Sequence, residues 1–249
     1  MNNLYGRLAS WVYEVDKPIG KSFGDVEFYR DCLKNIDGPV LEPATGNGRI
    51  LIPLLEAGIE VDGYDLSQDM LDLCEQALQT RNLKADLSKA AYDSYQAKRQ
   101  YSALIIPAGS FQLMTDTAEI ERAVQNFASS LKPGGKLIVD IYPRLDEEEK
   151  PRVRHWQVGD NLLVLSEMPY AIDYFAQKTV SQLRYEHWHK GELVKTELEL
   201  FSLRWWGVYE FELLLRQAGF KNIKRSADYQ YGVEPSDGSS CVTFEAVMG

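Results

Sequence analysis

The sequence predicts an α/β fold in which a doubly wound sheet of seven strands carries helices on both faces. From residue 39, short apolar runs alternate with helical stretches, which is typical of a parallel sheet covered by helices. The run at 103–106 has no polar alternation, as expected of a strand buried on both sides. Between residues 144 and 206 the alternation stops, which predicts an antiparallel β insertion after the fifth strand.

Individual residues mark where the helices and strands of the core begin and end. Gly58 ends the helix expected at 49–57, because glycine adopts the positive φ of a helix end without strain. Ser67 is an expected N-cap, and the helix after it repeats Met70 and Leu71 on one face. The turn at 132–135 ends the helix before the fifth strand. The expected core strands are 40–41, 60–64, 85–89, 103–106, 136–141, 221–229 and 241–248, with further helices at 26–36, 117–131 and 209–218.

The insertion is expected to contain strands at 162–167, 179–188 and 193–203, with a hairpin-like turn at His189-Lys190-Gly191. We expect it to lie over the strand ends, where ligands bind in such folds. Its aromatic side chains either line a substrate pocket or pack the insertion against the sheet. These residues are Trp156, Tyr170, Tyr174, Phe175, Tyr185, Trp188, Phe201, Trp205 and Trp206.

The chain is expected to form a single domain with four parts. An N-terminal lid with helices spans 1–38, and the core that binds a cofactor spans 39–143. The insertion, as a cover for the substrate, spans 144–206. The C-terminal helix and the last two strands span 207–249.

Composition and charge narrow the function. With 249 residues and a formal net charge of −10, the chain lacks the basic surface that binds phosphate backbones, so nucleic acid is not an expected partner. No run approaches the roughly 20 apolar residues of a membrane helix, and we expect a cytoplasmic protein, monomeric or homodimeric. Cys32, Cys74 and Cys241 lie far apart without CxxC spacing, and are expected to be buried thiols rather than disulfides or metal ligands.

A glycine-rich turn, Glu42-Pro43-Ala44-Thr45-Gly46-Asn47-Gly48, joins the first strand to the first core helix. Its glycines allow a ligand to approach the backbone closely, and the amides of the helix start face that ligand. A dinucleotide site requires a third glycine where this chain has Leu51. Glu42 also favours positive charge over phosphate.

A second acid, Asp65, ends the neighbouring strand 19 residues after Gly46. A carboxylate at this position can accept hydrogen bonds from both ribose hydroxyls. The turn and this acid together predict an adenosine without phosphates.

The segment 40–50, with Gly63-Tyr64-Asp65-Leu66-Ser67 and Met70-Leu71, resembles the class I S-adenosylmethionine-dependent methyltransferases. The resemblance extends from about Leu8 to Tyr142 and returns in the helix at 210–220. It implies a Rossmann-like methyltransferase fold with S-adenosylmethionine as cofactor and S-adenosylhomocysteine as product.

The resemblance also implies roles for individual residues. Glu42, Ala44 and Gly46 would contact the methionine portion and Asp65 the ribose, while Tyr13 would close over the methionine carboxylate. The segment Pro107-Ala108-Gly109-Ser110-Phe111 matches the family segment that borders the sulfonium and the substrate. The remaining expected cofactor residues are Thr45, Asn47, Gly48, Leu66, Met70, Ala91, Tyr92 and Asp93.

One position departs from the family. Related enzymes usually place an acid after the third strand to hold the adenine amino group, and by spacing that position is Ala91. Asp93 or a backbone carbonyl is an alternative, and Asp86, inside the strand, is a weaker one.

The leading interpretation is methyl transfer to nitrogen or oxygen of a small molecule. The expected partner of the enzyme is therefore a small-molecule methyl acceptor. The alternatives are methylation of a protein or RNA, and a module that binds S-adenosylmethionine without catalysis. Alignment of the reacting atoms supplies most of the catalysis in such a displacement, so the catalytic residues stay open. Candidates for a proton acceptor are His155, His187, His189, Tyr142 and Asp140.

Overall fold

The computed structural model describes residues 5–143 and 150–249, so residues 144–149, where the insertion is expected to begin, lie outside the described residues. No helix in these two ranges is both long and apolar enough to cross a membrane. The helices are α1 (Arg7–Asp16), α2 (Asp25–Leu33), α3 (Leu51–Glu56), α4 (Gln68–Arg81), α5 (Thr117–Ser130) and α6 (Val208–Gln217), with a short 3-10 helix at Ser110–Leu113. The strands of the large sheet are β1 (Val40–Pro43), β2 (Val61–Asp65), β3 (Leu87–Lys89), β4 (Tyr101–Ile106), β5 (Leu131–Ile141), β10 (Phe220–Ala227) and β11 (Val242–Met248).

The large sheet has seven strands in the order β10-β11-β5-β4-β1-β2-β3. The first five strands pair in parallel, while β11 runs antiparallel to both of its neighbours. The strand order reverses between β1 and β4, and ligands of open α/β sheets bind at that switch point, beside the carboxyl ends of the strands. The predicted doubly wound fold is confirmed.

Both faces of this sheet are covered, as the lack of polar alternation predicts. Val40 and Ile105 point into a core formed with α2, α3 and α4. Their neighbours Leu41 and Leu104 point into a second core formed with α5 and α6. Successive residues of one strand therefore stabilise opposite layers.

The insertion is a separate antiparallel sheet of four strands in the order β6-β7-β8-β9. These strands are β6 (Arg152–Val158), β7 (Asn161–Asp173), β8 (Lys178–His189) and β9 (Glu192–Arg204). The three expected strands correspond to β7, β8 and β9, and β6 is a fourth strand that the sequence did not predict, because it has no apolar run and its basic start is typical of a solvated surface. Its register with β7, rather than its own composition, makes it a strand.

One face of the insertion packs on α1. Leu8 and Val12 of the helix contact Leu163, Leu183 and Tyr185 in a small buried cluster. Arg154 adds an ion pair to Asp16 at 2.7 Å. The N-terminal helix thus lies against the insertion.

The insertion is fastened to the core through Gln112, which lies in the 3-10 helix after β4 and is buried. Its Nε2 donates to the backbone carbonyl of Arg204 at 2.9 Å and to that of Tyr142 at 3.2 Å. Its Oε1 accepts from the N–H of Tyr142 at 2.8 Å. One side chain therefore binds the chain both before and after the insertion.

We predict that Gln112→Ala lowers the free energy of unfolding by about 2–4 kcal/mol, because three hydrogen bonds are lost and buried backbone groups stay unpaired. The melting temperature then falls by about 5–10 °C, measured by circular dichroism. The control is Gln68→Ala, since among the described residues the exposed Gln68 amide bonds only to Asp72 on the same helix. Equal melting temperatures for the two variants would contradict this role of Gln112.

Candidate functional site

The site centres on the Asp65 carboxylate at the carboxyl end of β2. Its two oxygens accept the backbone N–H groups of Gly46 at 2.9 Å and Ser67 at 2.8 Å. The parallel register pairs Pro43 with Tyr64, so the turn after β1 lies beside this acid. Burial raises the pKa of the Asp65 carboxyl, and the backbone N–H donors oppose that shift. Each oxygen keeps a lone pair for a ligand.

Glycines set the close approach of the elements around the turn. Gly46 has φ 57°, and no atom lies within 4 Å of the place where its Cβ would be, so the backbone there is open. A Cβ at Gly48 would lie 2.7 Å from Cys74 Sγ of α4, and one at Gly63 would lie 2.9 Å from the Thr45 side chain. Larger residues at the latter two positions would push the turn away from α4 and β2.

Glu42 lies at the end of β1 with only 3% of its surface exposed. It has no ion-pair partner within the described part of the chain, and the Thr45 hydroxyl donates to it at 3.3 Å. Burial raises the pKa of the Glu42 carboxyl to about 8, while Arg49 opposes the shift. A buried acid without a cation suits a ligand with a positively charged group.

A pocket opens at the carboxyl ends of β1 and β2, and we call it the strand-end pocket. The predicted cofactor residues in its wall are Tyr13, Ala44, Gly46, Asp65, Leu66, Met70, Ala91 and Tyr92. The wall also contains Ser110, from the segment expected to border the sulfonium, and residues that the sequence did not predict, namely Tyr5, Tyr64, Ala90, Leu113, Met114 and Glu119. Apolar walls with a few polar groups are typical of small-ligand sites.

Seven expected cofactor residues lie outside this wall. They are Glu42, Thr45, Asn47, Gly48, Asp93, Pro107 and Ala108. Asn47 is turned towards α1, where its amide donates to Glu14 and to the carbonyl of Lys17. Asp93 is held by an ion pair with Arg122 at 2.9 Å. Other protein groups therefore engage the Asn47 and Asp93 side chains.

The N-terminal segment forms part of the wall of the strand-end pocket. The carbonyl of Tyr5 accepts from the Ser67 hydroxyl at 2.7 Å, beside the N-cap of α4. The rings of Tyr5 and Tyr13 meet edge to face with their centres 5.7 Å apart. Both tyrosines belong to the pocket wall, so movement of this segment would change access to Asp65.

The sequence carried a signal for one of the missed residues. Tyr64 directly precedes Asp65 in β2. Because successive residues of a strand point to opposite faces, its side chain is expected on the face opposite to that of Asp65. Its ring stacks on Tyr95 at 4.1 Å, and its buried hydroxyl has no partner among the described residues. Glu119 and Met114 had no such signal, because both follow β4 and lie far along the chain from the turn and Asp65.

None of the proposed proton acceptors belongs to the wall of the strand-end pocket. Asp140 is fully buried and accepts from the N–H of Ala108 and the hydroxyls of Tyr229 and Thr243. Burial raises the pKa of the Asp140 carboxyl to about 6. His187 and His189 both contact the Asn161 side chain within the insertion. His155 lies on β6, while Tyr142, 39% exposed, follows β5.

The aromatic residues of the insertion do not line the strand-end pocket. Tyr185, Trp156 and Phe201 belong to the cluster that holds α1. Trp206 packs edge to face on Phe111 within the main core. The remaining five include the exposed residues Tyr170, Tyr174 and Phe175 near the β7–β8 hairpin. For the buried ones, packing is the role that the structure supports.

Comparison with known proteins agrees with this arrangement. Residues 40–135 match the family described as a methyltransferase domain. The putative methyltransferase YqeM of Bacillus subtilis (strain 168) is 25% identical over 223 residues, covering 84% of this chain and 83% of that protein. The glycine/sarcosine N-methyltransferase of Aphanothece halophytica is 28% identical over 219 residues, covering 84% of this chain and 77% of that protein.

A solved structure shares the fold over the whole chain. The sugar N-methyltransferase KedS8 from Streptoalloteichus superposes with a TM-score of 0.78 at 20% identity, covering 100% of this chain and 94% of that one. The domain match spans the turn and Asp65, and the shared fold includes the insertion. Residues 40–135 therefore match a methyltransferase domain, and the chain as a whole shares the fold of a known methyltransferase.

Proposed function

We propose that this protein transfers the methyl group of S-adenosylmethionine to nitrogen or oxygen of a small molecule. The observation that carries the proposal is the strand-end pocket, in whose wall Tyr5 and Tyr13 of the N-terminal segment lie together with Asp65. A pocket walled in part by the N-terminal segment favours a small acceptor over a protein or RNA strand. The formal charge of −10 further disfavours RNA.

The names of two relatives favour nitrogen as the acceptor atom. Two of them are named for methylation of nitrogen, one on glycine and sarcosine and the other on a sugar. This favours a small amine as the acceptor. A hydroxyl compound is the second candidate, since both nucleophiles attack a methyl group in the same in-line geometry.

Residues of this chain match the parts of the cofactor. Asp65 would accept hydrogen bonds from the ribose hydroxyls, and the apolar side chains of Leu66 and Met70 would pack against the adenine. Glu42 would neutralise the ammonium group of the methionine portion, with Gly46 leaving its backbone open to the ligand. When bound, the sulfonium supplies an activated methyl group, and the protein's task is to align an acceptor with it and to exclude water.

The acceptor class is tested by incubating the protein with S-adenosylmethionine and measuring S-adenosylhomocysteine. We predict turnover with members of a panel of small amines, less with matched alcohols, and none with bulk protein or RNA. Turnover that requires protein or RNA would contradict the proposal. Tight cofactor binding without turnover on any acceptor would favour a binding module.

The role of Asp65 predicts that Asp65→Ala weakens binding of S-adenosylhomocysteine about 10- to 100-fold, because charge-assisted hydrogen bonds to both ribose hydroxyls are lost. Isothermal calorimetry measures the change. The matched control is Asp72→Ala, which removes an exposed acid of α4 that, within residues 5–143 and 150–249, bonds only to Gln68. Unchanged binding by the double variant Asp65→Ala, Glu42→Ala would refute the cofactor site.

The raised pKa of Glu42 predicts opposite effects on stability and binding. With a folded pKa of about 8 against 4.5, the folded state holds an extra proton between these values, so this group lowers stability as pH rises from 4.5 to 8. Glu42→Gln removes that penalty, and we expect the ligand-free variant to melt several degrees higher at pH 8. At pH 5 the difference in melting temperature between the variant and the wild-type protein shrinks. The variant should nevertheless bind S-adenosylhomocysteine at least about 10-fold more weakly.

The same acid should release a proton when the cofactor binds at pH 7, since an ammonium group favours the ionised carboxylate. Calorimetry in two buffers of different ionisation enthalpy measures the number of protons released. The wild-type protein should release a fraction approaching one proton, and Glu42→Gln should not show that release. Equal proton release by both proteins would contradict the pairing of Glu42 with the ammonium group.

A further inference from the structure

The adenine end of the strand-end pocket has no acid at the position after β3 where related enzymes usually place one. Ala91 occupies that position and contributes only a methyl group and its backbone to the wall. An exocyclic amino group enclosed without an acceptor loses binding energy, because its hydrogen bonds to water are not replaced. A different group of this chain must therefore accept from it if adenine binds here.

The two alternatives near Ala91 are already engaged. The Ala91 carbonyl accepts from the N–H of Tyr95 at 3.0 Å, and the Tyr92 carbonyl accepts from the Asn126 amide at 2.9 Å. Asp93 lies outside the pocket wall and accepts from the Arg122 guanidinium at 2.9 and 3.1 Å. The short segment after β3 is thus held by α5 through its polar groups.

Two carboxylates remain in the described wall of the pocket, Asp65 and Glu119. Asp65 holds the turn and faces the ribose position. Glu119 lies in the first turn of α5, and its N–H bonds to the N-cap Asp116. Its carboxylate has no hydrogen bond or ion pair within the described residues, although Arg122 follows it by one turn. Arg122 is directed to Asp93 instead.

A second unpaired polar group lies in the same wall. The Tyr64 hydroxyl is buried and has no partner among the described residues. Adenine presents a donor at its 6-amino group and an acceptor at the adjacent ring nitrogen. An unpaired carboxylate and an unpaired hydroxyl are the complementary groups for that edge.

We propose that Glu119 accepts a hydrogen bond from the adenine 6-amino group, replacing from α5 the acid that is absent after β3. This inference rests on the proposed cofactor role of the pocket and deepens it. Glu119 becomes a specificity-determining residue for the base. The base is then selected by a residue of α5, the helix that also binds the segment after β3.

The test compares two ligands that differ at one position of the base. S-adenosylhomocysteine carries the 6-amino group, whereas S-inosylhomocysteine carries a 6-oxo group that a carboxylate repels. We expect the wild-type protein to prefer the adenine ligand by at least about 10-fold, the effect of a hydrogen bond to a charged group. In Glu119→Gln the amide can donate to the 6-oxo group, so this preference should fall to within about 3-fold.

Three further variants separate the outcomes. Glu119→Ala should also lose the preference. The control Glu121→Gln changes an exposed acid of the same helix and should keep the wild-type preference. Asp93→Asn tests the competing acid directly and should also keep the wild-type preference for the adenine ligand. Melting temperatures of all variants identify any that fail to fold.

A preference that survives Glu119→Gln and Glu119→Ala, or that is lost in Asp93→Asn alone, would overturn the role of Glu119 while leaving the cofactor site intact. Failure of the wild-type protein to bind either ligand would instead remove the proposed function, and this inference with it. The two failures are therefore distinguishable in the same calorimetric series.

Discussion

The hydrogen bond from the Gly46 N–H to the Asp65 carboxylate is the contact on which the site depends. It joins the turn after β1 to the end of β2, and it exists because the two strands run in parallel and finish together. Gly63 must lack a side chain for Thr45 to approach β2, and Gly48 must lack one for α3 to lie against α4. The position of the acid is therefore set by backbone packing and does not rely on a flexible side chain.

The position of α1 beside the strand-end pocket depends on a second set of contacts. Helix α1 lies between the pocket and the insertion, which holds it through the apolar cluster around Leu163 and through the ion pair of Arg154 with Asp16. The Glu197 carboxylate also accepts the N–H of Leu8 in the first turn of α1. Opening the pocket by moving α1 must break these contacts or move the insertion as well. The insertion thus acts on the site through α1, although none of its described residues belongs to the pocket wall.

The parts of the fold that follow local rules could be predicted from the sequence. Ser67 caps α4 as expected, and Gly46 and Asp65 lie together because their spacing follows from one strand-helix-strand unit. Strand β6 and the acid Glu119 could not be predicted, since each acquires its environment from residues far along the chain. Asp93 was an alternative to the usual adenine acid, whose position by spacing is Ala91, but the Arg122 side chain, 29 residues later, binds the Asp93 carboxylate. Long-range ion pairs of this kind leave no periodic pattern in a sequence.

The ligand-free fold contains several polar groups that its own residues do not satisfy. Glu42 is buried without a cation, and the Tyr64 hydroxyl and the Asn47 side-chain oxygen have no partners in the described part of the chain. Each such group lowers the stability of the ligand-free state, because burial removes its hydration without a replacement. These three groups lie in or next to the turn and the strand-end pocket, whereas Arg154, Arg204, Trp206 and Glu245 have buried polar atoms without a hydrogen-bond partner elsewhere in the described residues. A ligand that supplies an ammonium group and hydrogen-bonding partners can relieve the cost at Glu42 and Tyr64, and it binds with that energy added to its own contacts.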